Sequence, residues 1–306
     1  MSDSLRFGTV AAPEMLTGPL ERRRELLERA HAAGISHIFM ADHVSFHTGL
    51  GMDGLIQAAT LAALHQSLAL YVGVYLLALR HPLPVARQLA QLCESAPGRL
   101  VLGVGVGGED RHEIEVCGVD PSTRGRRTNE GLQALRGLLR GEPTSFHGEF
   151  FDFEDACIRP APNPALPLVI GGRSDAALRR AARYGDGWLA AWSSPRRFGE
   201  SLARARSWAD EEGRPGTLTR NGLQLWAGID RDPAKARERL SRAMHEMYRI
   251  PFEPFERYSP YGEVAVLADA LAPYVEAGCR DFNIMCVAES AEASIDAIAE
   301  VRQQLT

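Results

Sequence analysis

One pattern recurs eight times along the chain, and it leaves few folds open: a short apolar run, then a segment whose apolar residues return at helical spacing. The runs fall at residues 5–11, 35–41, 70–79, 99–105, 168–170, 187–191, 223–229 and 281–287. Leu20, Leu27 and Ala30 make the stripe of the first helix, and Gly34 closes it. Leu55, Ala58, Ala59, Ala62 and Ala63 make that of the second, over 55–68. Pro82 and Pro84 open the third, and Pro97-Gly98 ends it. Further helices are predicted over 128–139, 174–184 and 195–210, from Asp232-Pro233 onward, and over 262–277 and 294–305. Strands alternating with helices require a parallel sheet with the helices outside it. Eight such units in 306 residues favour one closed (β/α)8 TIM barrel, with functional residues at the C-terminal ends of its strands. The whole chain, 1–306, reads as a single domain.

Two segments break the rhythm, one after the fourth strand unit and one after the seventh. Residues 142–167 carry Phe146, Phe150, Phe151 and Phe153, then Pro160, Pro162, Pro164 and Pro167, which is too much proline for a helix. Residues 245–261 carry Tyr248, Phe252, Phe255, Tyr258 and Tyr261 among prolines. Long aromatic loops serve as lids or substrate walls, or else pack on the barrel rim or a second subunit.

Composition excludes several classes. A net charge of -5 and a pI near 6.0 give no footing for nucleic acid or a membrane surface. No apolar run reaches spanning length, and Met1-Ser2-Asp3-Ser4 does not open a signal peptide. Cys93, Cys117, Cys157, Cys279 and Cys286 form no CxxC and read as buried thiols of a cytoplasmic protein. No pair of histidines stands at ligand spacing beside carboxylates, so no metal is expected.

The fifth unit carries the chain's most suggestive turn. After the apolar run come Gly171, Gly172, Arg173 and Ser174, with Ser174 at an N-cap position and Gly185 closing the helix. A helix N-terminus offers unpaired N–H groups and a positive dipole end, and Arg173 adds a forked donor. The turn therefore suits a phosphate, or else is an ordinary βα corner. The string Gly103-Val104-Gly105-Val106-Gly107-Gly108 resembles a dinucleotide fingerprint, but it sits in the fourth unit, has no apolar helix directly after it and lacks the distant acid. A nicotinamide dehydrogenase is disfavoured on those grounds. Glycines at a strand end can instead admit a flat ring.

Asp42-His43 ends the second strand and should face the barrel mouth. His43 could exchange a proton with substrate, and Asp42 could orient it or bond a cofactor ring; the alternative is a histidine satisfied by packing. Glu109 and His112, just past the fourth strand, are further acid–base candidates. Arg124, Arg126 and Arg127 form a basic run that is either a solvated face or a contact for an acidic cofactor tail.

Ala41-Asp42-His43, Arg80-His81-Pro82, Gly98-Arg99-Leu100 with the glycine string, Phe146-His147-Gly148-Glu149-Phe150, and Gly171-Gly172-Arg173-Ser174 with Gly185-Asp186-Gly187-Trp188 stand in an order that resembles the bacterial luciferase-like superfamily. The resemblance implies a (β/α)8 barrel, commonly a homodimer, that binds FMN or the deazaflavin F420 at the mouth and acts as an oxidoreductase or monooxygenase on a small organic substrate. A separate flavin or F420 reductase is a possible partner. It implies the cofactor phosphate at Gly171, Gly172, Arg173 and Ser174. Ring contacts are implied at Asp42, at Tyr75, Leu76 and Ala78, and at Gly105 and Val106. It implies a non-proline cis peptide near Tyr75–Leu76. It also implies His43 as the group acting on substrate, with Glu109 as its partner, although the extra Gly108 shifts that glutamate's register. The Asp-His pair favours F420 over FMN. A flavin-binding homologue without catalysis is the alternative from another class.

Overall fold

The computed structural model describes residues 4–47, 49–108 and 110–306. Its eight barrel strands are β1 (Arg6–Val10), β2 (His37–Met40), β3 (Ala69–Leu76), β4 (Leu100–Gly105), β5 (Leu168–Gly171), β6 (Gly187–Ala191), β7 (Arg220–Ile229) and β8 (Asp281–Val287). Each pairs in parallel with the next, and Gly8 of β1 lies beside Asn283 of β8, so the sheet closes on itself. The expected (β/α)8 barrel is the observed fold.

The outer helices are α1 (Leu20–Ala32), α2 (Gly54–Leu64), α3 (Pro82–Ser95), α4 (Arg124–Leu138), α5 (Asp175–Tyr184), α6 (Pro195–Glu211), α7 (Pro233–Tyr248), α8 (Val264–Glu276) and α9 (Ala291–Leu305). Their starts are written in the sequence. Asp53, Ser174, Ser194, Asp232 and Ser290 accept first-turn N–H groups, and proline opens α3, α6 and α7. One core fills the layer between strands and helices. A second, smaller one fills the barrel itself, with Phe39, Tyr71, Val101, Val169, Leu189 and Met285 pointing inward from alternate positions. Below it Arg6 of β1 meets Asp281 of β8 in a bidentate pair at 2.6 and 2.7 Å, across the seam where the barrel closes.

Several boundaries differ from the sequence reading. The third run leaves the strand at Leu76 and finishes as a 3-10 turn, Leu77–Leu79. The fourth helix starts at Arg124, and the charged stretch before it holds a short helix, Arg111–Val116. A hairpin after β2, His43–Phe46 against Leu50–Met52, was not expected. Residues 142–167 also form a hairpin, Thr144–His147 against Asp152–Ala156. Its aromatic residues pack sideways: Glu130 of α4 accepts the N–H groups of Glu149 and Phe150, Arg127 lies over Phe150 and Phe151, and His81 meets Phe151 edge-on. In residues 245–261, α7 runs on to Tyr248, a turn of helix covers Glu253–Glu256, and Tyr261–Gly262 adds to β7. Cys93, Cys279 and Cys286 are buried, whereas Cys117 and Cys157 are only half-buried.

Candidate active site

At the end of β2 the chain turns directly into the unexpected hairpin, and that turn presents His43. Its Nδ1 lies 3.0 Å from Oε2 of Glu113, which is 2% exposed. The other carboxylate oxygen, Oε1, accepts the backbone N–H groups of Val44 at 2.6 Å and Ser45 at 3.1 Å. Glu113 is thus held on three sides. A carboxylate only accepts, so Nδ1 carries the ring's proton and Nε2 is left as the free nitrogen. Asp110 supports the same junction by capping the Glu113 helix at His112 N and accepting His47 N at 2.8 Å. His112 itself is exposed on that helix. Glu109 lies outside the described residues.

Asp42, expected to orient His43, is committed elsewhere. Its carboxylate takes both terminal nitrogens of Arg80 at 2.7 and 2.9 Å, with Leu76 N at 2.9 Å and Gly54 N at 3.1 Å. Four donors leave it no call on the imidazole, and Glu113 does that work instead. Burial pushes the Asp42 carboxyl above its ordinary range, while Arg80 and the two N–H groups hold the rise in check. Asp42 thereby ties the end of β3 to the start of α2.

A non-proline cis peptide does fall in β3, at Gly73–Val74 and not at Tyr75–Leu76. The side chains at the end of β3 that were expected to touch a cofactor ring are buried. Tyr75 is buried under Arg80, whose guanidinium sits 4.3 Å from the ring centre, and Leu76 and Ala78 are buried too. Val74 is the half-buried residue at the top of the barrel's inner core. It explains glycines on the next two strands, β4 and β5. A Cβ at Gly105 would lie 2.3 Å from Val74 Cγ2, and one at Gly171 2.7 Å from Cγ1. Gly105 and Gly171 therefore make room for the valine, which forms a pedestal beneath the mouth. Val106 is half-buried just past Gly105.

The turn after β5 is built as the sequence suggested. Gly172 has φ 126°, open to glycine alone, and a Cβ there would press Ala177 at 2.8 Å. Its own N–H and C=O are used, by Leu189 O and by Trp188 Nε1. Ser174 caps α5 by accepting Ala177 N at 3.2 Å. The first-turn N–H groups before Ala177 then face solvent, and Arg173 is exposed with no hydrogen bond or ion pair among the described residues. Asp175 in the same turn is neutralised by Arg204 at 3.1 Å. Two further arginines back the turn. Arg180 is buried with only neutral acceptors, Asn129 Oδ1 at 2.7 Å and Gly125 O at 3.3 Å. Arg124 has a buried Nε without a partner and faces Gly108. Of the basic run, Arg126 is paired with Glu149 and Arg127 donates to Ala78 O, so Arg124 alone is uncommitted to a carboxylate or a strand end.

At the mouth, aromatic side chains form a wall. His43 lies 4.0 Å from Phe46 centre to centre, Phe46 meets Tyr248 edge-on, and Tyr248 meets Trp192 and Trp226. Trp226 Nε1 donates to Tyr248 Oη at 3.3 Å, which anchors the wall to β7. A shallow hollow of about 750 Å³ between Gly34 and Arg302 lies at the opposite end of the barrel, where the loops of this fold serve stability.

The chemically committed groups thus gather at the C-terminal ends of the strands, the arrangement of (β/α)8 barrel enzymes. The family model for luciferase-like monooxygenases matches residues 5–303, and the chain belongs to that family of oxidoreductases. An uncharacterized protein of Mycobacterium tuberculosis is 33% identical over 208 residues, 62% of this chain and 72% of that one. An F420-dependent glucose-6-phosphate dehydrogenase of Nakamurella multipartita is 31% identical over 191 residues, 60% of this chain and 56% of that one. Among solved structures, an F420-dependent secondary alcohol dehydrogenase bound to an F420-acetone adduct superimposes with a TM-score of 0.85 over 99% of both chains, at 20% identity.

Neither Glu113 nor Val74 was singled out from sequence. The signal for Glu113 was Asp110, an N-cap that places an acid on the inner face of the next helical turn. For Val74 there was none, since strand alternation cannot show where a register shift between Val72 and Tyr75 reverses it.

Proposed function

We propose that this enzyme uses F420 to move a hydride to or from a carbon bearing oxygen in a small organic substrate, with His43 handling the accompanying proton. The observation that carries this is the His43–Glu113 contact, which fixes the imidazole by one nitrogen and leaves the other for the substrate. When bound, F420 supplies a ring carbon that takes or gives a hydride. The chain's residues fit such a group. Val74 offers an apolar seat for a flat ring, and Arg173 with the unpaired N–H groups of the α5 start suits its phosphate. In oxidation of an alcohol, Nε2 of His43 takes the hydroxyl proton, and Glu113 stabilises the imidazolium that results. In reduction the same nitrogen returns it. The aromatic wall keeps water from the reacting atoms. The dehydrogenases named above support F420.

FMN is the second reading, favoured by the family's description as monooxygenases, and would call for a separate reductase. We place the chain in the cytoplasm, in keeping with its free thiols, as one barrel domain over 1–306. Among the described residues no helix is long and apolar enough to cross a membrane. We expect a homodimer, in which the exposed Val44 and Val116, on the hairpin and the helix packed on it, would be covered.

Titration of the purified protein with F420 and with FMN, read by fluorescence quenching, decides the cofactor. F420 is expected to bind at least tenfold more tightly. The reverse order assigns the enzyme to FMN, and binding of neither overturns the proposal.

A further inference from the structure

We propose that the substrate of this site is an uncharged molecule carrying a flat or alicyclic ring, and that Trp192 is the residue that selects it. The inference rests on the function proposed above and names its substrate class.

Trp192 follows β6 with φ 51°, a left-handed conformation that a bulky side chain rarely adopts. Glycine would take this position without cost, so the indole is retained against the backbone's preference. Its ring centre lies 4.7 Å from Phe255 and 6.3 Å from Tyr248, both steeply inclined to it. Phe252, Leu240 and Met244 are buried behind these rings and fix them, while Trp192, Trp226, Tyr248 and Phe255 remain half-buried. The wall therefore runs unbroken from Phe255 through Trp192 and Tyr248 to Phe46 and ends against His43. A ring in the substrate would stack there and bring its neighbouring carbon to the imidazole.

Charge points the same way. Two arginines near the wall are committed, while Arg249 after Tyr248 and Arg257 over the Tyr258 ring stay exposed. Arg237 lies 5.4 Å from the Phe252 ring and binds Glu256 at 2.7 Å, and Arg80 is bidentate to Asp42. Lys235, the chain's single lysine, stands in the first turn of α7, at the far end of that helix from Tyr248. Glu113 stands at the end of the wall, beside His43. A phosphate or carboxylate on the substrate would meet the aromatic faces and this acid first. The phosphate turn at Arg173 belongs to the cofactor's side of the mouth.

The test uses the cofactor-loaded enzyme and three probes in calorimetry: 2-naphthol, 2-naphthoate and glucose 6-phosphate. Naphthol should bind at least tenfold more tightly than naphthoate, and glucose 6-phosphate should give no heat. Trp192→Gly should weaken naphthol about tenfold, leave the cofactor Kd within twofold and not lower the melting temperature, because the substitution relieves the backbone. Trp192→Phe should keep most of the naphthol affinity. Equal or tighter binding of either anion overturns the inference. So does a Trp192→Gly variant that melts earlier yet binds naphthol as before, since the indole would then be structural. A wild-type protein that binds naphthol but neither F420 nor FMN supports this inference and overturns the function proposed above.

Discussion

His43 and Glu113 stand 70 positions apart and meet at 3.0 Å, one from the loop after β2 and one from the loop after β4. The contact also binds those loops together, because the second carboxylate oxygen of Glu113 holds the hairpin backbone at Val44 and Ser45. The two residues should therefore fail differently. His43→Ala removes the proton-handling group and should cut turnover about 10²-fold or more, with cofactor affinity within a few-fold. Glu113→Gln should cut turnover and also loosen the hairpin, seen as faster amide exchange at Val44 and Ser45. Unchanged turnover in His43→Ala would make the imidazole a packing residue.

The pedestal makes a sharper steric prediction. Gly105→Ala places a methyl where Val74 already stands, so the valine must rise toward the mouth. Cofactor affinity should fall about tenfold or more, and Val74→Ala in the same chain should restore much of it. A Gly105→Ala enzyme that binds its cofactor normally would show that nothing rests on Val74.

At the glycine turn, Arg173→Ala should remove a charge-assisted bond worth about 1.5–3 kcal/mol, or roughly ten- to a hundredfold in affinity. The comparison of FMN with riboflavin isolates the phosphate, and for F420 the phosphate-free core serves. Wild type should prefer the phosphorylated form, and both Arg173→Ala and a β-branched residue at Gly172 should narrow the gap. Equal binding of both forms by wild type would reduce the turn to a βα corner.

Stability should carry the mark of one buried histidine. Burial pushes His37 below its ordinary value of 6.5, against the pull of Asp281 and the hydrogen bond to Asn283. The unfolded chain then takes up a proton near pH 6.5 that the native state refuses until lower pH. Its contribution is complete above pH 6.5 and is lost as the pH falls toward the lowered value, by up to about 1.4 kcal/mol per pH unit. Melting curves between pH 7 and 5 should show that slope, and His37→Gln should flatten it. An identical slope in the variant would place the acid sensitivity elsewhere.

The barrel was legible because its signal is repeated: each strand is bounded by glycine, proline or a capping residue, as at Gly34, Asp53 and Ser174. The glycine turn was legible because its N-cap and positive-φ residue are local. The acid–base pair was only half legible. His43 ends a strand, but its partner depends on how a charged loop folds back, so Glu109, the first acid past the strand, was named and Glu113 was not. Tyr75 was named as a ring contact through the resemblance, and nothing local showed that β3 shifts register between Val72 and Tyr75 and packs this side chain in the layer behind the strands. Residues 142–167 and 245–261 looked alike in composition. They differ because Glu130 and Arg127 of α4 claim the aromatic residues of the first, while those of the second are claimed by Trp192 and Trp226 at the mouth.

The pedestal and the glycine turn come from β3, β4 and β5, whereas the aromatic wall is drawn from the loops after β2, β6 and β7. The two sets share no loop. Descendants of such a chain can therefore drift in what they accept as substrate, one loop at a time, while inheriting the proposed cofactor seat unaltered. The same separation lets a protein engineer exchange Phe46, Trp192 or Phe255 in combinatorial libraries without sampling sequences that have lost the ability to bind the cofactor.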